Sequence, residues 1–101
     1  MRVIVMFDLP METAKDRYAY ARFRKDLIKE GFIMMQESVY CKLVLNPLAG
    51  DLVKEKVRKN RPPKGIIQAM IITEKQYADI EYLLGGPQTE KIDGTDRLVI
   101  F

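Results

Sequence analysis

The sequence contains no histidine, and that absence removes much of the usual catalytic repertoire. Neither a Ser-His nor a Cys-His nucleophilic pair is available within the chain. A single cysteine, with no histidine beside it, leaves no zinc ligand set and no intramolecular disulfide framework. Long apolar runs are missing too: stretches such as residues 3–7 and 69–72 fall far short of the roughly 20 residues needed to cross a bilayer. Met1-Arg2 leads into a short apolar stretch that ends at Asp8-Leu9-Pro10 without a small-residue cleavage site, which reads as a strand rather than a signal peptide. A cytoplasmic setting without membrane contact is expected. The chemistry that remains rests on carboxylates, hydroxyls, arginines, lysines or a hard metal ion.

The chain has 101 residues, 48% of them hydrophobic and 31% charged, as expected for one small globular domain with a modest core. The net charge of +3 is small but unevenly placed. Residues 1–64 carry fourteen basic and eight acidic side chains, and residues 65–101 carry three and six. Lys54, Lys56, Arg58, Lys59, Arg61 and Lys64 stand against the single acid Glu55. Lys15, Arg17, Arg22, Arg24, Lys25 and Lys29 stand against Asp16 and Asp26. Such asymmetry suits a polyanion-binding face with an acidic region elsewhere, although solvated helix faces also carry charge of this density.

Residues 3–7 are apolar and β-branched, and they predict a buried central strand that Pro10 terminates. Thr13-Ala-Lys-Asp16 is a variant capping box opening a helix over 14–30, with Tyr20, Phe23 and Leu27 as its apolar stripe and Gly31 as its stop. Residues 32–35 and 39–45 are extended, and Val39, Cys41, Leu43 and Leu45 share one face of the second stretch. Gln36-Glu37-Ser38 between them is a tight turn or a bulge. Asn46-Pro47 caps a helix over 48–60 with Leu52, Val53 and Val57 inward, the cations outward and Gly50 weakening its first turn. A stiff loop at 61–65, a strand at 66–73, a capping box at Thr73–Gln76 and a final apolar strand at 97–101 complete the chain. This order is the split βαβ, or ferredoxin-like, α+β plan: βαββαβ with an antiparallel sheet and both helices on one face. Residues 1–101 form a single domain, with a core over about 1–79 and a C-terminal dimerisation segment over about 80–101. The last strand, with no helix left to cover it, is expected to pair with a partner subunit.

Asp8 is the first residue with chemical interest. At the end of an apolar strand a carboxylate is costly to bury unless it is paired or bound to a cation. It serves either a local turn in Asp8-Leu-Pro10 or as an oxygen ligand for Mg²⁺ or Mn²⁺. One aspartate per chain is a thin metal site, and two Asp8 residues meeting across a dimer two-fold make a better one. Arg17, Arg22 and Arg24 are either a solvated helix surface or a set of phosphate clamps. Cys41, on the face of Val39 and Leu43, reads as an inert core thiol. Met34 and Met35 are adjacent and cannot both face one core.

Residues 3–10, Arg17, the Tyr20/Phe23/Leu27 stripe, Gly31-Phe32 and Gln36-Glu-Ser-Val-Tyr40 form an ordered series. The series resembles the CRISPR-associated protein two family, the small universal protein of the spacer-acquisition machinery. Phe23-Arg24-Lys25, residues 30–34, Ser38-Val39-Tyr40 and Thr73–Gln76 are similar to the versions found in type II systems. The resemblance implies a ferredoxin-like homodimer in which Asp8 is the catalytic residue and the ligand of Mg²⁺ at the interface. It implies a metal-dependent endoribonuclease, in some members a nuclease of double-stranded DNA, and a dimer that bridges the CRISPR-associated integrase. Arg17 matches a family arginine implicated in nucleic-acid contact. The interface histidines of some members are absent here.

Two function classes follow. As a scaffold, the basic dimer holds duplex DNA by its backbone through Arg17, Arg22, Arg24, Lys56, Arg58, Lys59 and Arg61, without regard to sequence. As an enzyme, it cleaves phosphodiesters, single-stranded RNA included, at a paired Asp8–Mg²⁺ site steadied by Arg17. The scaffold is the expected physiological role, because one acid with no other proton carrier is little equipment for efficient hydrolysis. A small-molecule regulatory domain fits poorly with the Lys54–Lys64 cluster, since effector pockets are mostly apolar.

Overall fold

A computed structural model describes residues 1–87; the expected strand at 97–101 and most of the expected dimerisation segment lie outside them. The described chain runs β1 (Arg2–Asp8), α1 (Ala14–Lys29), β2 (Ile33–Gln36), β3 (Val39–Leu43), α2 (Pro47–Lys59), β4 (Ile66–Ile72) and α3 (Glu74–Ala78). The four strands form one sheet in the order β2-β3-β1-β4, with every pairing antiparallel. This is the ferredoxin-like plan. β1 lies between β3 and β4, which explains its nearly unbroken apolar sequence: Val3, Ile4, Val5 and Phe7 are all buried.

Both helices cover one face of the sheet. Val3, Val5 and Phe7 of β1 and Tyr40 of β3 pack with Phe23 and Leu27 of α1 and Val57 of α2 in a single core. Phe7 is its hub, edge-on to Phe23 at 5.1 Å between ring centroids and stacked on Tyr40 at 5.8 Å. The expected caps form at both ends of α1. Thr13 and Asp16 make a reciprocal capping box. At the other end, Gly31 adopts φ +98° while its N–H and that of Phe32 donate to the carbonyls of Ile28 and Leu27, closing a Schellman motif. The 36–38 segment contains both of the alternatives left open. A bulge falls between Met34 and Gln36, and Ser38 turns the chain at φ 69°.

One expectation needs correction. Leu52 is 64% exposed, so α2 turns Val53 and Val57 inward without it. Leu43 is exposed on the face it shares with Val39 and Cys41, which α1 and α2 leave bare, and Leu45, beyond the strand, is exposed too. Cys41 is buried, as expected, yet it belongs to a second, smaller cluster with Ile4 and Ile72 on that bare side. The Arg2 guanidinium closes this cluster, lying 3.8 Å over the Tyr77 ring and 3.1 Å from the Glu74 carboxylate. Met34 and Met35 divide as expected, the first against the main core and the second against the smaller cluster. Gly50 owes its place to packing rather than to helix propensity: a Cβ there would lie 2.7 Å from Ile71 Cδ1, so glycine lets α2 sit close on β4.

Candidate nucleic-acid interface and metal site

Asp8 ends β1 opposite Ile66 of β4, and its side chain is exposed. Alternation along β1 places it with Ile4 and Met6 on the face opposite α1 and α2, where Tyr77 of α3 packs at the Ile4 end. That face also exposes Ile33 of β2, Leu43 of β3, and Ile66 and Met70 of β4. Beyond Asp8 the chain dives into the core at Leu9. The loop before β4 closes over this corner through Gly65, at φ +106°. A Cβ on Gly65 would meet the Asp8 carbonyl oxygen at 2.8 Å and Leu9 Cδ2 at 2.6 Å. Arg17 Nη1 donates to the carbonyls of Met11 and Glu12 at 3.1 and 3.0 Å, so it holds the segment that leads from Asp8 into α1.

Asp8 offers a hard oxygen donor of the kind Mg²⁺ or Mn²⁺ accepts. Among the described residues, however, no three acidic, cysteine or histidine side chains stand together. The described residues thus offer such an ion a single carboxylate, and water and phosphate oxygens are the kind of ligand that completes its shell.

A different carboxylate is built into the structure nearby. Asp16 is buried, accepts from the Thr13 N–H at 3.2 Å and lies 3.3 Å from Lys64 Nζ. The Thr13 backbone bond, followed by the Lys64 contact, holds its carboxyl below the usual carboxylate range. The pair ties the loop before β4 to the first turn of α1.

That tie forms a groove of about 570 Å³ between α1 and the Arg61–Gly65 loop. Arg22 lines one wall and Lys59 and Arg61 the other, so three of the expected cations, distant in sequence, converge. Lys15 and Lys64 join them. Arg58 and Arg61 border a smaller hollow with Lys54 over Val57. Lys56 instead reaches Glu30 at 3.4 Å and Arg58 pairs with Glu55, which ties both to their own surroundings. Arg24 is half-buried on α1 and does not line the groove. Sequence reasoning missed the groove's aromatic component, Tyr18, and the role of Pro62-Pro63 as a wall. The available signal was that Tyr18 falls off the Tyr20/Phe23/Leu27 stripe and faces away from the core.

Comparison with known proteins is consistent across sequence and fold. A family model described as CRISPR associated protein Cas2 matches residues 1–80. A Treponema denticola protein named CRISPR-associated endoribonuclease Cas2 is 50% identical over 100 residues, covering 99% of each chain. A protein of the same name from Streptococcus mutans is 48% identical over 99 residues, covering 98% of this chain and 91% of the relative. The crystal structure of Streptococcus pyogenes Cas2 at pH 6.5 superposes with a TM-score of 0.60 over 82% of this chain and 99% of that one, at 19% identity.

Proposed function

Because the chain belongs to the CRISPR-associated protein Cas2 family, we propose that it acts in CRISPR spacer acquisition as a homodimeric scaffold. In this reading it holds duplex DNA by its backbone and bridges the CRISPR-associated integrase, and Mg²⁺-dependent phosphodiester hydrolysis is a secondary capacity. One observation carries the arrangement: Asp8 shares the face opposite α1 and α2 with Ile33, Leu43, Ile66 and Met70, all exposed. An apolar sheet face of this kind is a natural surface for a second copy, and packing two such faces brings two Asp8 carboxylates toward one axis. β4 supports the same reading, since among the described residues it is an edge of the sheet, and a strand from the partner's 97–101 segment can cap it.

When bound between the two carboxylates, Mg²⁺ would supply a Lewis acid and an acidified water. This chain's own contribution is positional. Arg17 fixes the segment that follows Asp8, and Gly65 lets the loop before β4 close on the same corner. Arg22, Lys59 and Arg61 supply sequence-independent phosphate contacts.

The test is Asp8→Asn, which keeps the turn geometry and weakens the metal ligand. The variant is expected to stay dimeric, bind duplex DNA and support spacer acquisition in cells while losing Mg²⁺-dependent cleavage. Loss of acquisition in a stable, DNA-binding variant would replace the scaffold with a nuclease whose cleavage is the physiological function.

A further inference from the structure

The groove between α1 and the Arg61–Gly65 loop holds, among the cations that duplex binding uses, an exposed aromatic side chain that it does not. Its cations are Lys15, Arg22, Lys59, Arg61 and Lys64, against Asp16 and Asp26, and Asp16 is already matched by Lys64. In the midst of these cations stands Tyr18, 66% exposed. A duplex presents phosphates to such a surface and keeps its base faces sealed in the stack, so an aromatic ring there adds nothing to backbone binding. An unpaired base has a free π-face, and cations that track phosphates combined with an aromatic stacking platform are what sequence-tolerant single-strand sites are made of.

We propose that this groove is a binding site for an unpaired nucleic-acid strand, with Tyr18 stacking one base and Arg22, Lys59 and Arg61 holding the flanking phosphates. The inference rests on the nucleic-acid reading above and adds a site that recognises strand state. From Lys15 to Asp26 the α1 wall runs about 16 Å. At about 3.4 Å per stacked nucleotide that length accommodates a few nucleotides. Pro62 and Pro63 keep the opposite wall stiff, and the Lys64–Asp16 pair fixes its distance from α1, so the site is formed before the ligand arrives. Leu9 and Pro10, which follow Asp8 in the chain, are among the residues that line the groove.

The experiment measures binding of labelled short oligouridylate, oligothymidylate, an abasic oligomer of equal length and a duplex DNA, by fluorescence anisotropy at one salt concentration. Wild-type protein, Tyr18→Ala, Tyr18→Phe and Arg22→Ala are compared, with thermal melting to confirm that each is folded. Tyr18→Ala is expected to weaken at least one of the two single strands about tenfold, leave duplex affinity unchanged, and bind the abasic oligomer as wild type does. Tyr18→Phe should bind like wild type, and Arg22→Ala should weaken every probe that carries phosphates. Comparing the ribo and deoxy strands then assigns the sugar. Equal loss of duplex and single strands in Tyr18→Ala, or wild-type affinity as high for the abasic oligomer as for the others, would overturn the stacking site. Wild-type protein that binds duplex but neither single strand overturns this inference alone. Protein that binds no nucleic acid even at low salt removes the scaffold reading with it.

Discussion

The residues divide into those that hold a corner of the fold and those that stay available at the surface, and the two kinds look alike in the sequence. Asp8 and Asp16 are both aspartates near the start of a basic segment. Asp16 is consumed by its cap and by Lys64, whereas Asp8 is exposed. Asp16 was legible as a capping residue because its spacing from Thr13 is local. Its bond to Lys64, across 48 positions, depends on where the loop before β4 lands, and no local pattern encodes that. Arg17, by sequence either a solvated helix residue or a phosphate clamp, gives its Nη1 to two loop carbonyls. The buried Asp16 makes a pH prediction. Its folded pKa lies below its unfolded one, so the ionised carboxylate stabilises the fold at all pH above the ordinary carboxylate range. As pH falls, the unfolded chain takes up the proton first, and the contribution is gone once pH has passed the folded value. Urea midpoints of wild type and Asp16→Asn should therefore differ at neutral pH and converge in acid. A gap independent of pH would assign the effect to the packing of the buried side chain and not to its charge.

At the scale of elements, the helices and strands follow directly from local patterns: the two capping boxes, the Gly31 stop and the β-branched β1 all lie where those patterns put them. What periodicity cannot reveal is which face of a sheet is covered. Val39, Cys41 and Leu43 alternate as a core-facing strand should, yet α1 and α2 lie on the other side with Tyr40. Deciding that requires the handedness and length of both crossovers, which are properties of the whole arrangement. The Arg61–Gly65 loop makes a sharper case. A glycine after Pro-Pro-Lys looks like a generic turn, but its φ of +106° and its contact with Asp8 and Leu9 make it the position that seats the loop on β1. Gly65→Ala should cost about 2 kcal/mol or more, visible as a lower urea midpoint, because strain at a glycine-only φ adds to a clash with backbone atoms. A variant as stable as wild type would mean that the loop can lift away from β1 without loss.

Over the described residues α1 and α2 cover one face of the sheet and leave apolar side chains exposed on the other, and the proposed assembly follows from that asymmetry. Met70 is 46% exposed in the middle of β4 on the bare face. Met70→Glu should leave the fold intact, because the side chain is not part of either core, and it should turn a dimer into a monomer in sedimentation experiments. A dimer of unchanged mass would place the interface elsewhere. The strand order has a further consequence during synthesis. β1 is made first, yet its two neighbours in the sheet, β3 and β4, are third and last among the described strands. At ribosomal speeds of about 5–20 residues per second, roughly 3 to 13 s separate the completion of β1 from that of β4. Throughout that interval Val3–Ile4–Val5–Met6–Phe7 has at least one ladder of backbone groups without its native partner. The strand at the centre of the finished sheet is thus, among the described strands, the one that waits longest for both of its neighbours, and its backbone groups are open to wrong pairing for that time.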